Sequence, residues 1–252
     1  MKSAYSNMMV VIDPTADSQF ALTRAMNLVG AESDVTLFYC TYAGDVELEL
    51  ASSRQDLKRS TLTEAQAHLR NIIEQHGFMG RTFSKEVLWN ADWHRMLVFT
   101  AAKEAVDLVV KSRSPSTGMI SKFRSSDRYL VRNASCPTLF VDENSDNHYR
   151  RIVATIVLEK GDENHMRLNH SVVAHAKKLA ATTGAELHIL SSFERQLNLD
   201  MLSTHIGDND IAEQISSDYG VDLANVHVEQ DTASHAITAF TNSDDCLVMG
   251  SC

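Results

Sequence analysis

Short apolar runs alternate with longer amphipathic stretches along the first half of the chain. Met8 to Ile12 (MMVVI) is a continuous apolar run, the pattern of a strand buried on both faces. Asp17 or Ser18 then stands where a helix cap is needed. The helix that follows places Ala21, Leu22, Ala25, Met26 and Val29 at helical spacing. Val35 to Thr41 (VTLFYCT) is a second strand. A longer helix carries Leu57, Thr61, Ala65, Leu69, Ile72 and Ile73 on one side and stops at Gly77. Thr82 to Trp89 reads as a third, partly exposed strand, and Trp93, Met96, Leu97, Thr100 and Ala101 mark a third helix. Leu108 to Lys111 is a fourth strand, Asp127 to Asn133 a short helix, and Thr138 to Val141 (TLFV) a fifth strand.

Strands alternating with helices predict parallel crossovers and a doubly wound α/β sheet. After the polar segment 144–149 (NSDNHY) the pattern restarts. Ile152 to Leu158 matches the first strand. Leu168, Val172, Val173, Ala176 and Leu179 match the first helix, which Gly184 closes. Glu186 to Leu190, Ile211 to Tyr219, Val226 to Glu229 and Ala233 to Phe240 continue the alternation. Cys246 to Met249 then begins as its counterpart does, Asp245-Cys246-Leu247-Val248 against Asp107-Leu108-Val109-Val110. The expectation is two tandem copies of one unit, residues 1–143 and 150–252, joined by a linker over 144–149. The second copy has no visible equivalent of the loop, short helix and fifth strand of the first. Either the chain is shortened or another subunit completes it.

Composition narrows the partners. The formal net charge of −10 disfavours broad binding to nucleic acid or to anionic membrane, both of which need a basic face. No apolar run approaches a membrane span, and none resembles a signal peptide. Cys40, Cys136, Cys246 and Cys252 lack metal-type spacing, so reduced thiols in a cytoplasm are expected.

Three stretches carry a family resemblance: NMMVVIDPTADSQFALTRAM, DLVVKSRSPSTGMISKFRSSDRYLVRNASCPTLFV and DDCLVMGS. Together they resemble the tandem two-domain members of the universal stress protein family, over nearly the whole chain. The resemblance implies Rossmann-like sheets of order 3-2-1-4-5, with ligands beyond the strand ends between strands one and four. It also implies that the two copies pack as single-domain members do when they dimerise. The second copy would then leave an exposed sheet edge through which chains self-associate.

Members that bind ATP carry an Asp after the first strand and a G-2x-G-9x-G-(S/T) loop after the fourth. Asp13 matches the Asp. The glycine positions fall on Ser112, Pro115 and Ser125, with Ser126 at the hydroxyl. Proline has no N–H to donate, and serine side chains obstruct the close backbone approach that glycine allows. In the second copy Val157 replaces the Asp, while Gly250 keeps the first glycine. Carried over from the family motif or the basic loop, the candidate ligand residues are Asp13, Thr41, Lys111, Ser112, Arg113, Ser125, Ser126 and Gly250. The resemblance thus implies a non-catalytic stress-response module, sensing a ligand or binding a partner, with degenerate nucleotide sites and no cofactor expected. Two alternatives stay open: ATP or AMP binding with slow hydrolysis, and another small anion held after strand four.

Other residues add less. Lys111, Arg113, Lys122, Arg124, Arg128 and Arg132 form either an anion site or a solvated face. His165, His170 and His175 turn about 140° per step on a helix and share no face. His188 and His227 fall on strands that the family order makes neighbours, but two histidines without a third ligand do not make a metal site. No catalytic loop or nucleophile elbow is present, and a receiver-type acidic pair is missing beside Asp13.

Overall fold

The computed structural model describes residues 5–44, 47, 49, 53–113, 125–142, 148–158, 163–193 and 208–250. The chain divides into two compact units, Met1–Asn147 and His148–Cys252. The division falls within the polar segment 144–149, of which residues 144–147 lie outside the described residues.

The first unit runs β1 (Asn7–Ile12), α1 (Phe20–Leu28), β2 (Asp34–Thr41), α2 (Arg54–Gln75), β3 (Ser84–Trp89), α3 (Trp93–Lys103), β4 (Leu108–Ser112), α4 (Ser125–Asn133) and β5 (Thr138–Val141). All pairings are parallel, in the order β3-β2-β1-β4-β5. Because strand side chains alternate between faces, Met9 and Val11 point to one side. There they meet Phe38 and Val109, and pack with Leu97 and Ala101 of α3 and Leu130 of α4. On α2, Ser53 Oγ accepts from the N–H groups of Gln55 and Asp56 at 3.2 and 3.3 Å, satisfying two donors of the first turn. Gly77, at φ +72°, ends the same helix in the left-handed region.

The second unit repeats the order: β6 (Arg151–Ile156), α5 (Glu163–Thr183), β7 (Glu186–Ser192), α6 (Asp208–Tyr219), β8 (Val226–Glu229), α7 (Ala233–Phe240) and β9 (Asp245–Val248). Its sheet is parallel, β8-β7-β6-β9, and no strand pairs beyond β9 among the described residues. The repeated aspartate has one structural task in both units. Asp107 accepts from Ser6 N and Oγ at 2.7 and 2.9 Å, and Asp245 takes Arg151 Nε at 2.9 Å. Each ties its own strand to the chain entering the central strand.

Helix α1 differs from the sequence pattern in two ways. Neither Asp17 nor Ser18 caps it; the helix starts at Phe20, after Gln19. Its buried positions are Ala21, Leu22, Arg24, Ala25 and Leu28, so the core-facing stripe is displaced and Met26 and Val29 flank it half-buried. In α2, Leu57 and Thr61 are likewise half-buried, because packing tightens only from Ala65 onwards.

Candidate functional site

In each unit the direction of the crossovers reverses between the central strand and its neighbour on the other side, β1 and β4 in one, β6 and β9 in the other. That crevice at the strand carboxyl ends is where a doubly wound sheet takes ligands. The residue leaving the central strand is Asp13 in the first unit and Val157 in the second.

Both residues are held by a buried side-chain amide. Gln19 Oε1 accepts from Asp13 N at 3.1 Å, and Gln19 Nε2 donates to Asp13 O at 2.8 Å. Asn169 does the same for Val157, accepting from its N–H at 3.1 Å and donating to its carbonyl at 2.8 Å. An amide is the side chain that can satisfy a backbone donor and acceptor together. Gln19 also donates to Ala16 O at 3.0 Å, which shapes the loop before α1. Neither amide had been singled out from the sequence. The one signal was an amide after each central strand, and the intervals differ.

Four of the side chains carried over from the family motif, Asp13, Lys111, Ser112 and Arg113, are engaged in the fold. Asp13 Oδ1 accepts from the backbone N–H and hydroxyl of Thr15 at 2.9 and 2.7 Å. Ser112 Oγ accepts from Ala21 N at 3.0 Å. The α1 cap therefore comes from across the sheet, supplied by β4. Lys111 is buried, its ammonium 3.0 Å from the buried carboxylate of Asp127 at the start of α4. It also donates to Ser112 O at 2.9 Å and lies 5.6 Å from the Trp93 ring centre. Arg113 is partly exposed and donates to Asp142 Oδ2 at 2.8 Å. Thr41 ends β2 half-buried, its carbonyl accepting from Asn90 N at 2.9 Å. Ser125 and Ser126 open α4, the first exposed and the second half-buried.

The basic set is therefore not one cluster. Lys111 is ion-paired inside, whereas Arg128 and Arg132 are exposed on α4. Lys122, Arg124 and Pro115 lie outside the described residues.

In the second crevice a helix reaches the strand end. Helix α5 begins earlier relative to its clasp than α1 does, since Asn169 sits inside it and Gln19 precedes Phe20. Leu168, on this extension, reaches Gly250: a Cβ there would come within 2.6 Å of Leu168 Cγ and Cδ1. The backbone N–H that corresponds to Ala21 belongs to Ser171, deep enough in α5 to need no outside acceptor. The residue matching Ser112 can then lose its side chain, and is Gly250.

Cysteine and histidine chemistry is subdued. Burial, with Asp107 nearby, pushes the Cys136 thiol up to about 11, and burial also raises Cys40. Both stay protonated near neutral pH. His170 Nδ1 faces Met166 O at 2.8 Å, and the described residues contain no group of three His, Cys, Asp or Glu able to hold a metal ion. They also contain no helix long and apolar enough to cross a membrane.

Two consecutive doubly wound units, the second repeating the first's order over its four described strands, each with a switch-point crevice beside an amide-clasped residue, define a tandem α/β protein. The family model described as the universal stress protein family matches residues 4–142, and the chain belongs to that family. Its resemblance extends further, to proteins named universal stress protein E. The Haemophilus influenzae homolog is 21% identical over 248 residues, covering 90% of this chain and 80% of that one. The Photorhabdus laumondii protein is 23% identical over 196 residues, covering 75% of this chain and 62% of its own length. Among solved structures, a functionally unknown protein of Pseudomonas aeruginosa PAO1 superposes with a TM-score of 0.67 at 22% identity. That superposition covers 92% of this chain and 75% of the other. A universal stress protein from Archaeoglobus fulgidus gives 0.64 at 16% identity, over 95% and 83%.

Proposed function

We propose that this stress-family protein is a non-catalytic cytoplasmic binding module whose two switch points no longer cradle a nucleotide in the family manner. One observation carries the proposal: three polar side chains at the first switch point are already used in holding the fold together. Ser112 caps α1, Lys111 neutralises Asp127, and Asp13 closes its own turn through Thr15. A triphosphate would have to displace these bonds, without the glycine backbone that normally receives it. In the second unit Leu168 packs against Gly250, where a phosphate would need backbone access.

The test compares the native mass of gently purified full chain with its denatured mass. A bare protein mass is expected. Retained ATP or AMP overturns the proposal and establishes a nucleotide sensor, in which slow hydrolysis would then be sought. Arg113→Glu separates out another anionic ligand, because Arg113 is the partly exposed cation at the end of β4. Self-association through the outer edge of β9, which no strand among the described residues pairs, belongs to the same proposal, since an unpaired edge recruits strands. A strictly monomeric particle by sedimentation argues against that part.

A further inference from the structure

We propose that the second unit carries a proton-sensing site in the His188–His227 pair, and that its second protonation releases the outer strand β8 together with α7.

The two rings face each other from adjacent strands. His188 Nδ1 and His227 Nε2 are 3.0 Å apart, with ring centres at 5.3 Å and planes inclined by 23°. A hydrogen bond between ring nitrogens needs one N–H and one lone pair. With both imidazoles neutral, or with one proton added, that requirement is met. With both rings protonated, two N–H groups and two positive charges meet across the same gap. The pair therefore accepts one proton in place and rejects a second.

The surroundings sharpen this limit. On β7, the Glu186 carboxylate flanks the pair, its Oε2 3.3 Å from His188 Nε2. From β6, Arg151 adds a fixed positive charge, although Asp245 of β9 is its partner at 2.9 Å. From α7, the Phe240 ring covers both histidines, 4.4 Å from His227 and 6.2 Å from His188, and contributes no charge. Arg151 lies over the same Phe240 ring at 4.8 Å. Four other ionisable groups on or beside these elements are turned to local tasks or to solvent. Glu229 is exposed at the end of β8, Asp222 accepts from Ala224 N at 3.0 Å, and Asp231 pairs with His235 at the exposed start of α7.

The element that can yield is also identified. β8 is four residues long and the outermost strand of its sheet, bonded on one side to β7. Helix α7, eight residues long, lies over β7 and holds the Phe240 lid. Separating the rings requires β8 to leave β7 and α6, and α7 to give up the 3.0 Å bond from Arg151 Nη2 to the Phe240 carbonyl, while β6, β7 and α5 stay packed. Burial, then His188 and Arg151, hold the His227 imidazolium below its ordinary value. For a histidine depressed in this way, the stabilisation is complete above the unfolded pKa of about 6.5 and is lost as pH falls through the folded value. Opening therefore belongs to mild acid.

Amide hydrogen exchange on the intact chain tests this at about pH 7.5 and about pH 5, corrected for intrinsic rates, with β1 and β2 as internal reference. Residues 226–240 should lose about tenfold protection or more at the lower pH relative to the reference. His227→Gln keeps a neutral donor toward His188 Nδ1 without a titrating ring, and should retain protection. Unchanged wild-type protection, or equal loss in wild type and variant, overturns the proposal. Should the variant not fold, the wild-type histidine titration followed by NMR decides. One ring titrating below the ordinary range, coupled to its neighbour, supports the site; two independent, ordinary titrations refute it.

Discussion

The two switch points started from one plan and solve the same mechanical problem with different residues. In each, a buried amide holds the backbone of the residue leaving the central strand, Gln19 on Asp13 and Asn169 on Val157. Beyond that clasp they part. The first unit surrounds it with charge and hydrogen bonds: Asp13, the buried Lys111–Asp127 pair and the Ser112 cap. The second has Val157, Met249 and Gly250 at the matching positions, and the extended start of α5 reaches Gly250 through Leu168. The shared clasp is what the fold needs; the differing shell is where a ligand site would have been made or lost. Helix length decides part of this difference, because a helix that begins later leaves an N–H that something else must satisfy.

The largest effect expected from breaking this contrast is at the buried pair of the first unit. Lys111→Met, which copies Met249 of the second unit, removes the cation facing Asp127, whose side chain is 2% exposed. A buried carboxylate that loses its counter-charge costs about 3–5 kcal/mol. Adding Asp127→Leu should restore most of that loss, because a well-packed apolar pair replaces a buried ion pair at little cost. Urea unfolding of the three variants checks this by the midpoint of the first unit. Equal stability of the single variant and the parent would show that the pair is solvated in solution.

Much of the fold was legible from the chain because strand periodicity and turn residues are local signals. MMVVI, VTLFYCT and TLFV are apolar by themselves, and Gly77 and Gly184 mark helix ends by a backbone state that other residues resist, at φ +72° and +73°. The partners inside the crevice were not local. The serine that caps α1 lies 91 residues from the N–H it accepts, whereas the local pattern points to Asp17 or Ser18 next to the helix. Lys111 followed a buried strand and was read with the basic residues after it. Only the three-dimensional meeting with Asp127 shows that its charge is already balanced. The clasping amides escaped because an isolated Gln or Asn has no pattern: its meaning is the pair of backbone groups it reaches.

The clasp gives the next effect, and it should be the same in both units. Gln19→Leu and Asn169→Leu each leave the N–H and carbonyl of one backbone residue without their side-chain partner. Unsatisfied buried groups cost about 1–3 kcal/mol. Thermal unfolding should show Gln19→Leu lowering the first unit and Asn169→Leu the second by similar amounts. A loss confined to one unit would mean that water replaces the other clasp, and the common plan would fail.

Exchanging the residues that differ most simply gives the smallest effect and separates capping from packing. Ser112→Ala removes the acceptor from Ala21 N while leaving a side chain of nearly the same size, and loss of a serine cap costs about 1 kcal/mol. Gly250→Ala does the opposite. It adds a methyl where Leu168 already sits, and filling an occupied space costs about 1–3 kcal/mol when the neighbour cannot move. Leu168 is itself half-buried on a helix surface and can turn away, so the cost belongs at the low end, close to that of the lost cap. Size and hydrogen bonding are then told apart by a second substitution. Leu168→Ala should remove the penalty of Gly250→Ala, whereas no substitution on α5 should alter the penalty of Ser112→Ala. If Leu168→Ala leaves the glycine variant equally destabilised, the contact between α5 and Gly250 is not what replaced the cap.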